Sequence, residues 1–470
     1  MSDHLEIGGP ASVDTEEMLR AAAVLGDTRA ALQGLVRRAR IAAQAAPPGL
    51  AAPFHDAVDR IVAAERQADR AAGGLRTAAE RYASTERTVG AAQQTRFAAT
   101  AAVEGALMRI APLPVLGADA ASSTVFLIGQ ALDQWVRDGY VAPQSDPEVV
   151  RWLQLRLSSL DDALRGLVGV ETPRDLVVDD PASPLGTQAI GAAIAAVLWP
   201  RSHPIDVHRT VSTSAARPRS FAELADRLPE GDEPEGQVRV ERYEDAAGPR
   251  WIVYSAGTVT FDVDSGQEPF DLESDVRGVA DSPADAQRAV LQAMQQAGIG
   301  TDDPVLLVGH SQGALDAMRI AEDGPYDVEG VVQFGGPTEQ IPAPPGTAVL
   351  QVVHTSDLVP ALGGVAAASA AGTVVVRRTL PAADVRPVYG TCDPIGAFPA
   401  HSTERYRETT VRAEAAGSPQ LQSLRRRWTP FFEGAPGEST RYAARRIVPA
   451  VSGSDRCRTA DAAPARPASR

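Results

Sequence analysis

The sequence predicts an α/β fold, a mainly parallel sheet flanked by helices, preceded by an all-α region. From about residue 206 onward, short runs rich in β-branched residues alternate with helical patterns. Strands separated by helices imply right-handed crossovers within a parallel sheet. Before that point, apolar residues recur at helical spacings over long stretches. The chain has 470 residues, which leaves room for about three domains.

The helical region divides at its breaks. Residues 1–100 are predicted to form a helical hairpin, in which the Pro-Pro-Gly run at 47–49 separates two amphipathic helices. Residues 101–203 form an additional helical region, in shorter pieces, to which the sequence assigns no chemistry. At the other end, residues 432–470 are rich in Gly, Pro, Ser, Ala and Arg and are expected to form a flexible, partly disordered tail.

Residues 204–431 contain the strand signals. The later strands are apolar nearly throughout, which is typical of parallel strands buried on both faces. The first two strands after residue 230 are separated only by a short turn that contains Gly248, which predicts an antiparallel hairpin. The predicted strands are 207–212, 238–244, 251–255, 304–308, 328–334, 348–353 and 373–378, and the predicted helices are 219–228, 283–298, 312–322 and 402–415.

Composition argues against several classes of protein. The formal net charge is -15 and the chain contains no Lys, so it offers no large positive field to nucleic acid. No signal peptide is expected at the N-terminus, and the longest apolar runs, 123–132 and 188–199, are shorter than the ~20 residues of a membrane span. Cys392 and Cys457 are too few for a zinc cluster, and free thiols are favoured over a disulfide between them. We therefore expect a cytoplasmic protein without a metal or other cofactor.

The strongest motif is the pentapeptide Gly-His-Ser-Gln-Gly, Gly309–Gly313, which lies between an apolar strand and an Ala- and Leu-rich helix. In this context, G-x-S-x-G is typical of a nucleophile elbow. The sharp turn strains the backbone of Ser311, and glycine is required at both flanks, Gly309 and Gly313. The turn places the serine hydroxyl near a helix N-terminus, which favours developing negative charge. Ser311 is therefore the candidate nucleophile, and His310 is expected to point away from its pocket.

A nucleophilic serine needs a base, normally a histidine, that is oriented by a carboxylate. Of the seven histidines, His401 lies best, in a loop after the last predicted strand and before a helix. Asp357 follows the preceding apolar strand and is the candidate acid, although it could instead cap a turn. Asp384 and Asp393 are the alternative acids. With Ser311, these residues are expected at the carboxyl edge of the sheet, where open α/β sheets bind their ligands.

An oxyanion hole requires two backbone N–H groups aimed at the developing negative charge. The first is expected from Gln312, the residue after the nucleophile. The second is expected from the loop after strand 251–255, where Gly257 allows a close approach of the backbone. Thr258, or its neighbour Val259, would donate this second hydrogen bond.

The elbow, the strand that ends in Phe334–Pro337, the Asp-Leu-Val-Pro turn and the late histidine together resemble the α/β-hydrolase superfamily, most closely its lipase- and esterase-like branches. The resemblance covers about residues 205–430. It implies an α/β-hydrolase fold and a catalytic triad of Ser311, Asp357 and His401. It also implies a serine hydrolase that cleaves carboxylic esters, thioesters or lipid esters through a covalent acyl-enzyme, without a cofactor. A Ser-Ala-Gly-Thr run stands where many relatives have an HGGG-type oxyanion motif.

The N-terminal hairpin resembles the WXG100 proteins of type VII secretion. The resemblance rests on its length and on Tyr82 and Glu86, which fit the Y-x-x-x-[DE] secretion signal. It implies an alternative function, that of a secreted or partner-binding protein in which the hairpin mediates delivery or binds a helical partner. In that case the hydrolase domain is an effector or is inactive. Tyr82 also lies on the apolar stripe, so a core tyrosine is the alternative interpretation.

Overall fold

The computed structural model of the protein describes residues 3–8, 15–45, 55, 58–77, 81, 145–158, 185–231, 236–246, 248–264, 266–365, 372–386 and 398–447. The chain divides into two compact units, Gly8–Gln93 and a larger one of Met1–Ile7 with Gln94–Arg470. Within the described ranges, one mixed, mainly parallel sheet and its helices form an α/β structure. The strands are β1 His4–Gly8, β2 Ile205–Ala215, β3 Val238–Asp245, β4 Gly248–Ser255, β5 Pro304–His310, β6 Asp327–Phe334, β7 Ala348–His354, β8 Thr373–Thr379 and β9 Gly437–Arg446.

Helices α1 and α2 belong to the smaller unit and the others to the larger one. Two short 3₁₀ turns, Ala382–Val385 and Pro399–His401, lie on either side of residues outside the described ranges. The helices are α1 Thr15–Ala45, α2 58–77, α3 Pro147–Ser158, α4 Leu185–Leu198, α5 Phe221–Ala225, α6 Leu272–Val279, α7 Asp285–Ala297, α8 Gln312–Asp323, α9 Leu358–Ala361, α10 Thr403–Ala415, α11 Pro419–Arg427 and α12 Thr429–Phe432.

The strands of the sheet lie in the order β1-β8-β7-β6-β5-β4-β3-β9-β2. Strands β4 to β8 pair in parallel, which confirms the predicted parallel core. Strand β3 pairs antiparallel with β4, which confirms the predicted hairpin, and β9 pairs antiparallel with both β2 and β3. Every predicted strand falls within an observed strand. The carboxyl ends of β4 to β8 therefore share one edge.

Strand β5 contributes side chains to both faces of the sheet. Val305 and Leu307 pack into one apolar cluster, with side chains of α7 and α8. Leu306 and Val308 pack into a second cluster, with side chains of α5, α10 and α11. These four residues are at most 1% exposed, and they alternate because successive side chains of a strand point to opposite faces. The sheet is therefore covered by helices on both sides. Helix α8 begins at Gln312, the residue after Ser311.

The prediction of a flexible tail over 432–470 is wrong in part. Gly437–Arg446 form β9, which lies inside the sheet between β3 and β2. This strand was not predicted because its residues are mostly small, polar or charged and do not form an apolar strand pattern. Arg446, at its end, is buried through an ion pair of 2.6 Å with the carboxylate of Asp271. Residues 448–470 lie outside the described part of the chain.

The helical prediction for residues 1–100 also misses a strand at its start. Strand β1 lies beside β8 at one edge of the sheet. Asp3 precedes this strand, and its Oδ1 atom accepts a hydrogen bond of 2.8 Å from Nε of Arg378 in β8. The carboxylate of Asp3 thereby balances the charge of the buried Arg378. An ion pair of this kind leaves no apolar pattern from which the strand could be predicted.

Helices α1 and α2 of the smaller unit run antiparallel. Arg29 donates to the carboxylate of Asp69 at 2.8 Å, and the Gln33 amide donates to that of Glu65 at 2.7 Å. The later residue of α1 thus pairs with the earlier residue of α2, as in a hairpin. The turn predicted at 47–49 lies outside the described residues. Across all described helices, none combines the length and the apolar character that crossing a membrane requires.

Candidate active site

Ser311 lies at the turn between β5 and α8, in a strained backbone conformation. Its φ is 54° and its ψ is -122°, and only one other non-glycine residue in the described ranges, Asp281, has a positive φ. The Ser311 N–H donates a hydrogen bond of 2.9 Å to the carbonyl oxygen of Phe334, at the end of β6. A side chain held at positive φ costs about 1–3 kcal/mol, and such strain clusters at functional sites. The turn therefore has the geometry of a nucleophile elbow.

The two flanking glycines have no room for a side chain. A Cβ atom at Gly309 would overlap the carbonyl group of Gly313. A Cβ atom at Gly313 would overlap the carbonyl oxygens of Ser255 and Ala256, at the end of β4. Gly309 is therefore required by the closeness of the two sides of the turn, and Gly313 by the contact between the turn and the neighbouring strand.

His401 and Asp357 meet as the sequence predicts. The Nδ1 atom of His401 lies 2.6 Å from Oδ2 of Asp357, and both side chains are buried. A carboxylate only accepts hydrogen bonds, so Nδ1 carries a proton, and in the neutral imidazole the lone pair lies on Nε2. Among the described residues, the buried Nε2 atom has no hydrogen-bond partner. This is the state in which a histidine can accept a proton from a serine hydroxyl.

The carboxylate of Asp357 is held by further donors. It follows β7 and caps α9, where its Oδ1 atom accepts the Val359 N–H at 2.9 Å. Its Oδ2 atom also accepts the hydroxyl of Tyr406, in α10, at 2.5 Å. Burial alone would raise the pKa of Asp357, but the charge of His401 and these hydrogen bonds lower it below its ordinary value. Asp357 is therefore ionised at neutral pH, while burial and Asp357 keep the pKa of Tyr406 well above its usual range.

Two further histidines hold the backbone around His401. The Nε2 atom of His310 lies 2.8 Å from the carbonyl oxygen of His401, and Nδ1 of His354 lies 2.7 Å from that of Ala400. A carbonyl oxygen can only accept, so each ring nitrogen donates. Burial lowers the pKa of His310 to about 3, helped by the nearby charge of His401, and that of His354 to about 4. Both are therefore neutral at pH 7, and the ring centroids of His310 and His401 lie 4.6 Å apart, with the ring planes tilted by 35°.

The loop after β4 lies against the elbow, as the sequence predicts for an oxyanion hole. A Cβ atom at Gly257 would be 3.3 Å from Cβ of Ser311, so the glycine allows the close approach. The N–H of Val259 donates to the Phe270 carbonyl oxygen at 2.8 Å, which leaves Thr258 as the better of the two alternative donors. The other expected donor, the N–H of Gln312, lies in the first turn of α8, where N–H groups have no intrahelical partner.

Of the two alternative acids, only Asp384 lies within the described residues, and it pairs away from this site. Asp384 lies 3.2 Å from Arg405 in a partly exposed ion pair. Asp393, Cys392 and Cys457 lie outside the described residues. The predicted secretion signal, Tyr82 and Glu86, lies outside them as well.

One cluster has the composition of a metal site. His203, Glu273 and Asp285 bring possible ligand atoms within 4.8 Å of one another. The guanidinium group of Arg446 already lies among them, 2.5 Å from Asp285 and 3.4 Å from Glu273. Its positive charge lies where a cation would be bound, so the cluster is an ion-pair network.

Sequence reasoning missed the roles of Tyr406 and Asp275, whose side chains bind predicted site residues across long stretches of chain. It also missed the role of His354, which binds the backbone oxygen of Ala400, the residue before His401. Tyr406 follows His401 at the start of a helix, and its position on the buried side of that helix was the one available signal. The described residues thus join His401 to Asp357 and leave Nε2 of His401 without a hydrogen bond, including one from the hydroxyl of Ser311. Comparison of the chain with protein-family models, with curated proteins and with solved structures finds no match.

Proposed function

We propose that the protein is a serine hydrolase of the α/β-hydrolase type that cleaves carboxylic esters through an acyl-enzyme. The observation that carries this proposal is the state of His401. Its Nδ1 is bound to an ionised Asp357, and its Nε2 is unpartnered within the described residues. Its ring centroid lies 4.6 Å from that of His310, the residue that precedes the strained Ser311. Buried polar atoms are normally paired, so an open lone pair at this place is a reason to expect proton transfer.

The reaction begins with the hydroxyl of Ser311. Its oxygen attacks the ester carbonyl carbon while Nε2 of His401 accepts the hydroxyl proton. Asp357 stabilises the imidazolium that forms, and the N–H groups of Gln312 and Thr258 hold the oxyanion of the tetrahedral intermediate. The intermediate collapses as His401 gives its proton to the leaving alcohol oxygen, which leaves Ser311 acylated. A water molecule, deprotonated by His401, then attacks the acyl group, and the released acid leaves Ser311 with its proton restored.

Labelling with a fluorophosphonate probe tests this proposal. Wild type is expected to react at Ser311, and the Ser311→Ala variant is expected to lose the label and the hydrolysis of p-nitrophenyl esters. Ser214→Ala is the matched control, because Ser214 is exposed on β2, and it should be labelled like wild type. Absence of label on wild type, or undiminished label on Ser311→Ala, would contradict the proposal. A panel of p-nitrophenyl esters of graded chain length then defines the preferred acyl group.

A second candidate function concerns the smaller unit. We propose that its hairpin binds a helical partner and serves export by a type VII system, with the hydrolase as cargo. The antiparallel pairing of α1 and α2 through Arg29–Asp69 and Gln33–Glu65 favours this proposal, because such secreted proteins are helical hairpins. Comparing the secretion of wild type and Tyr82→Ala tests it. Ser311→Ala should be exported like wild type, and equal retention of wild type and Tyr82→Ala in the cytosol would contradict the proposal.

A further inference from the structure

Asp275 lies in the first turn of α6 and binds the side chains of both expected oxyanion residues. The hydroxyl of Thr258 lies 2.9 Å from its Oδ2 atom and 3.2 Å from its Oδ1 atom. The amide Nε2 of Gln312 donates to Oδ1 at 2.9 Å. One carboxylate therefore links the loop after β4 to the first residue of α8, and these are the two segments expected to supply the backbone N–H groups.

The support behind Asp275 is itself fixed. Nε2 of Gln312 also donates to the backbone oxygen of Asp271, the N-cap of α6, at 2.8 Å. The carboxylate of Asp271 accepts the Ser274 N–H at 3.0 Å and binds the buried Arg446 at the end of β9. The start of α6 is thus anchored to the sheet, and the Gln312 amide has both its hydrogens directed at this helix.

Asp275 differs from the acidic residues around it in its partners. Glu273 pairs with Arg277 at 2.7 Å, and Asp285 pairs with Arg446. Within the described part of the chain, no ion pair reaches Asp275, and its side chain meets neutral donors instead. Burial, and then the charge of Asp271, raises its pKa to about 7 against the effect of those hydrogen bonds. A poorly solvated acid without a cation is a cost to folding, so stability alone does not explain its presence.

We propose that Asp275 is a positioning residue of the oxyanion hole, which sets the separation of the Thr258 and Gln312 backbone N–H groups by binding both side chains at once. The proposal rests on the proposed hydrolase function. Donors to a developing oxyanion must be held within about 0.5 Å of their productive positions. Thr258 lies in a loop, where backbone torsions are less constrained than in a helix. The hydrogen bond between its hydroxyl and Asp275 supplies the missing constraint.

The Asp275→Leu variant removes this link while keeping the branched shape of the side chain. Its methyl groups accept no hydrogen bond, whereas an asparagine amide could still donate to the Thr258 hydroxyl and accept from Gln312. We expect kcat to fall by about 10- to 100-fold, somewhat less than the ~10²–10³ for complete removal of an oxyanion donor. The KM should change by less than about threefold, because the donors act mainly on the transition state.

A pair of substrates separates this role from general support of the fold. A thionoester presents sulfur, a weak hydrogen-bond acceptor, where an ester presents oxygen, so the oxyanion hole assists its cleavage less. The ratio of kcat/KM for a p-nitrophenyl ester to that for its thiono analogue should therefore fall about tenfold in Asp275→Leu. Thr258→Val, which removes one of the two hydrogen bonds to Asp275, should lower the same ratio. The double variant should lower it no further than Asp275→Leu alone, since Asp275→Leu has already removed the hydrogen bond from Thr258.

Asp226→Leu is the matched control, because Asp226 lies in a partly exposed ion pair with Arg407 at the end of another helix. It should keep the wild-type ratio. An unchanged ratio in a folded Asp275→Leu, or in Thr258→Val if Asp275→Leu does not fold, overturns the positioning role and leaves the hydrolase proposal intact. Wild type that cleaves the ester no faster than Ser311→Ala overturns both.

Discussion

The nucleophile and the base of the proposed site are held in place by different means. Ser311 is fixed by its backbone, through a positive φ and through contacts that exclude any side chain at the flanking glycines. His401 is fixed by side chains, through Asp357 on its ring and through His310 and His354 on the peptide groups around it. A steric constraint leaves a pattern of fixed spacing in the sequence. A set of hydrogen bonds from separate elements leaves none.

The largest effect on activity is expected where a side chain is added to one of the glycines beside Ser311. In Gly313→Ala, the new methyl group overlaps the carbonyl oxygens at the end of β4, so the elbow must shift. We expect ester hydrolysis to be lost entirely and the free energy of unfolding to fall by at least about 2 kcal/mol. Enzyme assay and urea denaturation measure the two effects. Gly34→Ala, where an added Cβ meets nothing within 4 Å, should leave both unchanged or slightly raise stability. An active, stable Gly313→Ala would remove the steric explanation.

Among the side chains that hold His401 by hydrogen bonds, Asp357 should have the largest effect on kcat. Asp357→Asn cannot stabilise the imidazolium or hold the proton on Nδ1 of His401, so kcat should fall by about 10⁴-fold. The circular dichroism spectrum should remain that of wild type. Asp384→Asn, at the alternative acid, should change kcat by less than about twofold, because Asp384 pairs with Arg405 away from the triad. A larger loss in Asp384→Asn than in Asp357→Asn would reverse the assignment.

Substitution of Tyr406 tests whether His401 depends on the hydrogen bond that Tyr406 donates to Asp357. Tyr406→Phe removes the 2.5 Å hydrogen bond to Asp357 and keeps a ring to stack on His354. Hydrogen bonds to charged groups contribute about 1.5–3 kcal/mol, so we expect kcat/KM to fall by about tenfold or somewhat more. Loss of the donor raises the pKa of Asp357. As the pH is lowered, the variant should therefore lose activity at a higher pH than wild type does. An unshifted pH profile would contradict this role.

The last prediction concerns stability and a histidine that holds the backbone near His401. Burial keeps the pKa of His354 at about 4, whereas an unfolded histidine titrates near 6.5. Between these values the unfolded chain binds more protons, so the free energy of unfolding should fall as the pH falls from about 6.5 to about 4. The total is on the order of 3 kcal/mol, because each tenfold preference for the neutral form is worth about 1.4 kcal/mol.

His354→Gln removes this titration, and its amide can still donate to the Ala400 carbonyl and accept from Thr409. Urea denaturation at several pH values should therefore give a flatter dependence on pH than wild type. His208→Gln is the matched control, because His208 is exposed on β2, and it should keep the wild-type dependence. Equal slopes for wild type and His354→Gln would show that the acid sensitivity arises elsewhere.

The same contrast explains what could be predicted from the sequence. Strands β5 to β8 were predictable because apolar side chains on both faces are a local property of each strand. Strand β9 was not, since Arg446 is buried by carboxylates far away in the chain, and hydrophobicity alone does not indicate an ion-paired arginine. In the site, the elbow was a local motif. The links made by Tyr406 and Asp275 depend on contacts between distant elements, which one sequence cannot reveal.

The position of β9 has a consequence for the order of events during synthesis. This strand fills the gap between β2 and β3, and its last residue, Arg446, binds the N-cap of the helix behind the proposed oxyanion hole. Strands β1 to β8 must therefore be synthesised before β9 can pair with β2 and β3. A nascent chain that ends before residue 437 exposes two unpaired strand edges and lacks that anchor. Incomplete chains are therefore expected to lack the completed site, and translation arrest should yield inactive, aggregation-prone fragments.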